Sequence, residues 1–240
     1  MAGMQSGKVV SVNLAVVRTD PFTHVKSGRS GIDKRPAPGP VRLEVDGVVG
    51  DTICDTKNHG GPEQAVYAYS VEDLGFWTAE LERLVIDPAA TRPPSTPCRA
   101  AAPRRIRPGN MGENLTVAGV DCSHAVIGER WQVGGAVLRV TGPRTPCRVF
   151  AGFLDVPDLI KRFFAAGRPG AYLAVEQPAG ISAGDPVTVL DRPTHGVTTA
   201  DLLAATAGHR ELLPRIAQAR ADLGPRGREW LDTVLAASRR

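Results

Sequence analysis

With 240 residues, 29 Lys and Arg against 25 Asp and Glu, and a formal charge of +4, the chain can build one large domain, with or without a small appendage. Its four cysteines, Cys54, Cys98, Cys122 and Cys147, lie far apart with no CxxC pair, which argues against a zinc knuckle, a thioredoxin-like site and a disulfide framework. No apolar run approaches a membrane span and the first residues lack a signal-peptide core, so the expectation is a reduced, cytoplasmic protein with no membrane partner.

In chain order, short β-type runs separated by Gly, Pro, Asp and Asn dominate up to about residue 190. Lys8 to Val17, Val41 to Val45, Val48 to Ile53 and Ala65 to Tyr69 read as strands, with a tight hairpin at Asp46-Gly47. Ser70 to Asp73 resembles a capping box for a helix carrying Leu74, Trp77, Leu81, Leu84 and Val85 on one face. Between Pro88 and Asn110 stand five arginines (Arg92, Arg99, Arg104, Arg105, Arg107) and no acid; subtracting those five from +4 leaves the rest of the chain at −1. The basicity therefore belongs to one Pro- and Ala-rich stretch, read as a solvated insertion over 88–108. With no aromatics interleaved for base stacking, nucleic acid is not the expected partner.

Ala125 to Val133, Ala136 to Thr141, Ala171 to Glu176 and Pro186 to Leu190 read as further strands. Between them, Asp155 as cap and Pro157 in the first turn predict a helix carrying Leu159, Ile160, Phe163 and Phe164. The pattern changes after Pro193. One helix starts at Thr198-Thr199-Ala200-Asp201 with Leu202 and Leu203 inward. A second carries Leu212, Leu213, Ile216 and Ala219, and a third opens at Pro225 with Trp230, Leu231, Val234 and Leu235. The fold class is mainly β with helices (α+β). A barrel or sandwich domain spans 8–190, and a three-helix extension spans 195–240 that packs on the β domain or on a second subunit.

Four runs carry chemistry. In Gly142-Pro143-Arg144-Thr145-Pro146-Cys147-Arg148 two prolines stiffen the loop and two arginines favour thiolate over thiol, so Cys147 suits a metal ligand or a nucleophile. A buried inert thiol is the alternative. Lys26-Ser27-Gly28-Arg29 through Lys34-Arg35 has the cations, hydroxyls and glycines of an anion-binding loop, without P-loop spacing; an ordinary basic loop has the same composition. In the run Gly50 to Pro62, His59 before two glycines can donate to a phosphate, move a proton, or simply order a turn. Pro108-Gly109-Asn110-Met111-Gly112-Glu113-Asn114 offers an Asn114 amide for a heterocycle edge, and Glu113 to orient a cation or pair with an arginine.

These runs, with Ile127-Gly128-Glu129, stand in the order found in MOSC-domain proteins, and the set resembles the YiiM-like branch over about residues 8–190. The resemblance implies a MOSC-type β-barrel and a molybdenum cofactor (Mo-molybdopterin) with Cys147 as its protein ligand. Lys26, Ser27, Arg29, Lys34, His59, Asn114 and Arg144 are then expected around the cofactor, the cations holding its phosphate, with His59 also supplying protons. Pyridoxal-phosphate binding is a further association. The implied activity is reduction of N-hydroxylated compounds of the hydroxylaminopurine type, a detoxification of modified bases. Because the chain has neither iron–sulfur spacing nor a dinucleotide fingerprint, a separate redox protein is expected to supply electrons to a monomer or homodimer. Two alternatives stay open: a sulfur carrier using a Cys147 persulfide, and a non-catalytic molybdopterin-binding protein. Met111 stands where the branch has an aromatic, and Gly170-Ala171-Tyr172-Leu173 where it has Gly-Trp-Tyr-Arg, differences that bear on the substrate mouth.

Overall fold

A computed structural model describes residues 6–86, 106–156 and 158–237. Its first strands are β1 (Ser6–Ala15), β2 (Arg18–Thr19), β3 (Arg29–Ser30), β4 (Lys34–Pro36), β5 (Val41–Glu44), β6 (Gly47–Val48) and β7 (Val66–Ser70). After helix α1 (Val71–Ile86) come β8 (Leu115–Ala118), β9 (Arg130–Val133) and β10 (Ala136–Gly142). Helices α2 (Arg148–Leu154) and α3 (Leu159–Ala166) precede β11 (Ala171–Gln177), β12 (Ala179–Ile181) and β13 (Pro186–Asp191). The tail holds α4 (Thr199–Thr206), α5 (Leu213–Ile216) and α6 (Pro225–Ala237).

Seven strands close a barrel in the order β13-β9-β10-β11-β7-β8-β1, and β1 pairs back to β13. Every pairing is antiparallel except β7 with β8, so the chain from Val71 to Asn114 is a crossover connection. The reason for closure is visible in the side chains. Along β10, Ala136, Leu138 and Val140 alternate into the interior, where they meet Val9, Trp131, Leu173 and Val187 from neighbouring strands. Closing the sheet leaves those faces no solvent-exposed edge.

Two buried clusters result. The barrel interior also takes in Leu202, Leu213, Ile216, Leu223 and Leu231, so the tail helices pack on the barrel. A second, aromatic cluster gathers Tyr67, Tyr69, Trp77, Met111, Phe150 and Phe163 under α1, α2 and α3. Trp77 stacks on Phe163 with centroids 5.8 Å apart, and its indole N–H donates to the Tyr69 hydroxyl at 2.8 Å. Helix α4 joins the clusters, with Leu202 in one and Leu203 in the other.

Several expectations need correction. Val48 to Ile53 is not a strand: only Gly47–Val48 pairs with β5, and Val49 and Ile53 are exposed. The run Ala125 to Val133 is strand only from Arg130, because Ala125 to Glu129 turns with one isolated bridge from Val126 to Thr198. Asp155 ends α2 in a left-handed conformation, and Asp158, not Asp155, precedes α3; Pro157 lies outside the described residues. Ile160 faces solvent. The box at Ser70 is half made: Ser70 Oγ accepts the Asp73 N–H, while the Asp73 carboxylate is taken by Arg168 and the Ser123 hydroxyl. Thr198 and Asp201 form both halves of theirs. The middle tail helix is a broken run, 3₁₀ at Arg210–Leu212 and Ala217–Ala219 around α5. Helix α2 and strand β8 are additions that the sequence reading did not place. Cys98, the side chains of Leu84 and Val85, and nearly all of the 88–108 insertion lie outside what is described. No described helix is long and apolar enough to cross a membrane.

Candidate functional site

A cleft of about 520 Å³ is walled by residues of all four runs, among them the loop that follows β10. That loop runs through Pro143 and Pro146 and delivers Cys147 to the position preceding α2, half-buried at the cleft wall. Burial pushes its thiol up. A hydrogen bond from His59, the charge of Arg144 and the Phe150 backbone N–H more than offset this, and the thiol is lowered from 9.0 to about 7. The sulfur is therefore substantially thiolate at neutral pH.

Arg144 is buried, and its guanidinium lies 4.5 Å from the Phe150 ring centroid and 5.3 Å from that of Tyr67. It donates through Nη1 to the Met111 carbonyl, while its Nε has no hydrogen-bond partner among the described residues. Gly112 makes room for it. A Cβ there would stand 2.8 Å from Arg144 Nη1, at a backbone φ of +77° that L side chains rarely adopt. At Gly109, φ +89°, a Cβ would run into the Lys34 carbonyl.

The glycine-rich turn is organised by Glu113. Its fully buried carboxylate accepts from the N–H groups of Gly109 and Met111 and from the Thr116 hydroxyl, and burial pushes its pKa up. Glu113 thus shapes the loop instead of orienting a cation or pairing with an arginine. Asn114 is committed as well. Its amide donates to Asp51 at 2.8 Å and to the Asn13 carbonyl at 3.3 Å, and accepts the Tyr67 N–H at 3.3 Å, tying the start of β8 to β7 and β1. It lines the cleft with its hydrogen-bonding capacity spent on the fold.

Lys34 lines the cleft too, with its ammonium 2.6 and 2.5 Å from the two oxygens of Asp51. Burial lowers its pKa and Asp51 works against that. Asp51 also accepts the Ala15 N–H, so the pair is a fixed, internally neutral part of the wall. From the same run Arg29 reaches the cleft, while Lys26 and Ser27 are exposed and lie off it. His59 closes a turn in which its N–H donates to the Asp55 carbonyl at 3.0 Å, and its ring meets the Cys147 sulfur. The structure thus brings together Cys147, His59, Arg144, Lys34, Asn114 and Arg29.

Sequence reasoning left Asp51, Tyr67 and Tyr172 without roles, although all line the cleft, as does Arg148, one of the two arginines expected to favour the thiolate. Gly50-Asp51 stood in a quoted motif, which was the available signal; a lone tyrosine in a strand carries none. Leu173, at the place of the branch's arginine, is buried in the barrel interior, so that position does not reach the mouth.

Residues 55–188 match the MOSC domain family, more than half of the chain. The chain is a MOSC-domain protein. It is 32% identical to YflK of Bacillus subtilis over 190 residues, covering 79% of this chain and 76% of that one. It is 27% identical to YiiM of Escherichia coli over 183 residues, 75% of this chain and 71% of the other. A protein of Gibberella moniliformis named as a reductase is 31% identical over 165 residues, 68% of this chain but 26% of its own length. The crystal structure of YiiM from Geobacillus stearothermophilus shares the fold, with a TM-score of 0.71 at 24% identity, covering 95% and 98% of the two chains. This is therefore a YiiM-like MOSC protein with an α+β barrel.

MOSC domains are associated with molybdenum-cofactor proteins. The donor chemistry fits such a group. Cys147 offers a thiolate, a soft donor suited to a thiophilic metal, and Arg144 offers a fixed charge with an unused N–H. Among the described residues no three His, Cys, Asp or Glu side chains form a protein-only metal site; Cys54 also lines the cleft, but Cys147 is the cysteine that stands beside His59 and Arg144.

Proposed function

We propose that this MOSC protein is a molybdenum-cofactor-dependent reductase of N-hydroxylated compounds, of the hydroxylaminopurine type, with Cys147 as the ligand to the metal. The observation that carries the reading is a thiol lowered to about 7 in the wall of a cleft of about 520 Å³. A half-buried cysteine would otherwise be driven towards the neutral thiol, so the lowering reflects polar groups gathered on the sulfur.

Bound molybdenum cofactor supplies oxygen-atom uptake and a two-electron couple. The chain's own residues supply the rest. Cys147 presents its sulfur from the short stretch between Pro146 and α2, which fixes the approach. Arg144 and Arg29 provide positive charge for an anionic group, Arg144 from a desolvated position where charge-assisted hydrogen bonds are strongest. Lys34 does not serve as a free cation, because Asp51 holds it. His59 can hold and release a proton beside the sulfur. Reduction of R–NHOH to R–NH2 and water consumes two electrons and two protons, and the electrons are expected from a separate redox protein.

The test is Cys147→Ser in protein isolated from a cofactor-producing host. Elemental analysis should show molybdenum in the parent and its loss in the variant, with a cooperative melting curve that shows the fold retained and no reduction of hydroxylaminopurine. A serine variant with full molybdenum and full turnover sinks the ligand assignment. A persulfide on Cys147 with no molybdenum in the parent would replace the reductase by a sulfur carrier.

A further inference from the structure

We infer that three arginines gathered around Asp33 on the outer wall of the cleft form the docking surface for an electron-carrier protein with an acidic face. The inference rests on the reductase reading of the cleft. Asp33 is buried, with 6% of its side chain exposed. One of its oxygens is 2.7 Å from Arg107; the other is 2.7 Å from Arg18 and 3.3 Å from Arg35. The three guanidinium side chains remain 53%, 41% and 52% exposed for Arg18, Arg107 and Arg35. One carboxylate cannot neutralise three cations, so among the described residues the group carries two positive charges in excess on side chains that remain about half exposed.

Two other arginine groupings among the described residues are matched or exceeded by carboxylates. Arg220 pairs with Asp232, and Arg130 and Arg139 share Glu176 while each has a further carboxylate, Asp191 or Glu63. The Asp33 group is held in place as well as charged. Arg107 donates also to the carbonyls of Lys34 and Pro108, at 2.9 and 3.0 Å. Like charges on a free surface spread apart; here a buried carboxylate draws three together, which lowers the ordering cost of receiving a negatively charged partner.

The cluster's position links it to the site. Lys34, between Asp33 and Arg35, faces the cleft. Arg18 lies on β2, which pairs with β3, whose Arg29 and Ser30 line the same cleft. A carrier seated on the arginines would stand against the cleft wall. Its redox chemistry is set by the balance R–NHOH + 2 e⁻ + 2 H⁺ → R–NH2 + H2O, in which the carrier is oxidised as the N–O bond breaks. Charge complementarity at such a surface raises the association rate and falls with salt.

The experiment uses two acidic carriers as probes, a flavodoxin and a plant-type ferredoxin, titrated calorimetrically onto the full chain as isolated. At least one should bind, with affinity falling about tenfold or more between low and moderate salt. Arg18→Gln/Arg35→Gln should weaken that binding about tenfold, with an unchanged melting temperature, while Arg220→Gln in the tail should not. The milder single variant Arg35→Gln covers the case in which the double variant unfolds. Turnover of cofactor-loaded protein driven by that carrier should show a raised KM for the carrier, and turnover driven by reduced methyl viologen should be unaffected. Failure of both carriers to bind, or equal binding by the double variant, overturns the docking surface. So does tighter, arginine-dependent binding of a DNA duplex, which would assign the patch to nucleic acid. Absence of viologen-driven turnover in the parent instead sinks the reductase reading, and the titrations still decide the surface.

Discussion

Cys122 and Cys147 place the same side chain in the two regions of this molecule, and their thiols move in opposite directions. Cys122 is sealed in the barrel cluster, where burial and then the charges of Asp73 and Asp121 push its thiol well up. Cys147 packs at the edge of the aromatic cluster, also against a burial penalty, yet His59, Arg144 and the Phe150 N–H bring its thiol down to about 7. Burial does not separate the two; the sign of the surrounding polar groups does. In the barrel, polar neighbours are carboxylates already used by the fold. At the cleft, two of the groups facing the sulfur are hydrogen-bond donors and one carries permanent charge.

The contrast can be broken most directly by alkylation. With iodoacetamide Cys147 should label on an ordinary bench timescale, its rate rising with pH through a midpoint of about 7. Cys122 should label only through unfolding, slower by on the order of 10³ or more. Comparable rates for the two would show that the cleft does not expose its sulfur. The linkage follows from the same lowering. The folded thiol ionises below its ordinary value of 9.0, so its contribution to stability is complete above 9.0 and lost as pH falls through about 7.

Removing the groups that face the sulfur should narrow the difference. His59→Ala takes away the strongest favourable hydrogen bond and should raise the midpoint, cutting reactivity at neutral pH about tenfold. Arg144→Met should move the midpoint the same way and by less. It should also lower the melting temperature, since the Met111 carbonyl loses its donor. A midpoint that stays near 7 in both variants would refute the electrostatic account.

The smallest effect concerns stability. Cys122→Ser buries a hydroxyl whose nearest recorded partner is the Val120 carbonyl, 3.8 Å from the present sulfur, and should cost about 1 kcal/mol. Cys147→Ser, at a half-buried position, should cost less. Calorimetric melting of the two variants compares them, and the reverse order would mean that the cleft region carries the greater share of packing.

Part of the barrel is legible in the sequence because strands such as β10 and β11 carry apolar residues at every second position. Ala136, Leu138 and Val140 point inward, as period two demands, and Ala171 to Glu176 behaves likewise. The family is legible from short runs standing in order. Val48 to Ile53 misleads because its apolar residues look inward-facing, whereas the chain turns there, leaving Val49 and Ile53 exposed and bringing Asp51 under Lys34. Leu115–Ala118 is hidden in a run that reads first as chemistry. The partners of the site are the least legible. Lys34 meets Asp51 across 17 positions and Asn114 meets Asp51 across 63, and no local pattern encodes such pairs. Nor does spacing announce that Arg18, Arg35 and Arg107 converge on Asp33, with Arg107 drawn out of the stretch that reads as a solvated insertion.

The pairing of β1 with β13 has a consequence for biosynthesis. Ser6 to Lys8 find their partners at Pro186 to Thr188. At a synthesis rate of roughly 5–20 residues per second, the first strand waits roughly 10–40 s for the last to be made. Through that interval the backbone of this stretch lacks its β13 partner and stays available to any other nascent chain, and the sequence-distant contacts that end it form slowly. Chaperone demand for this protein should therefore be set by the ribosome's progress to residue 188, well before the tail helices are complete.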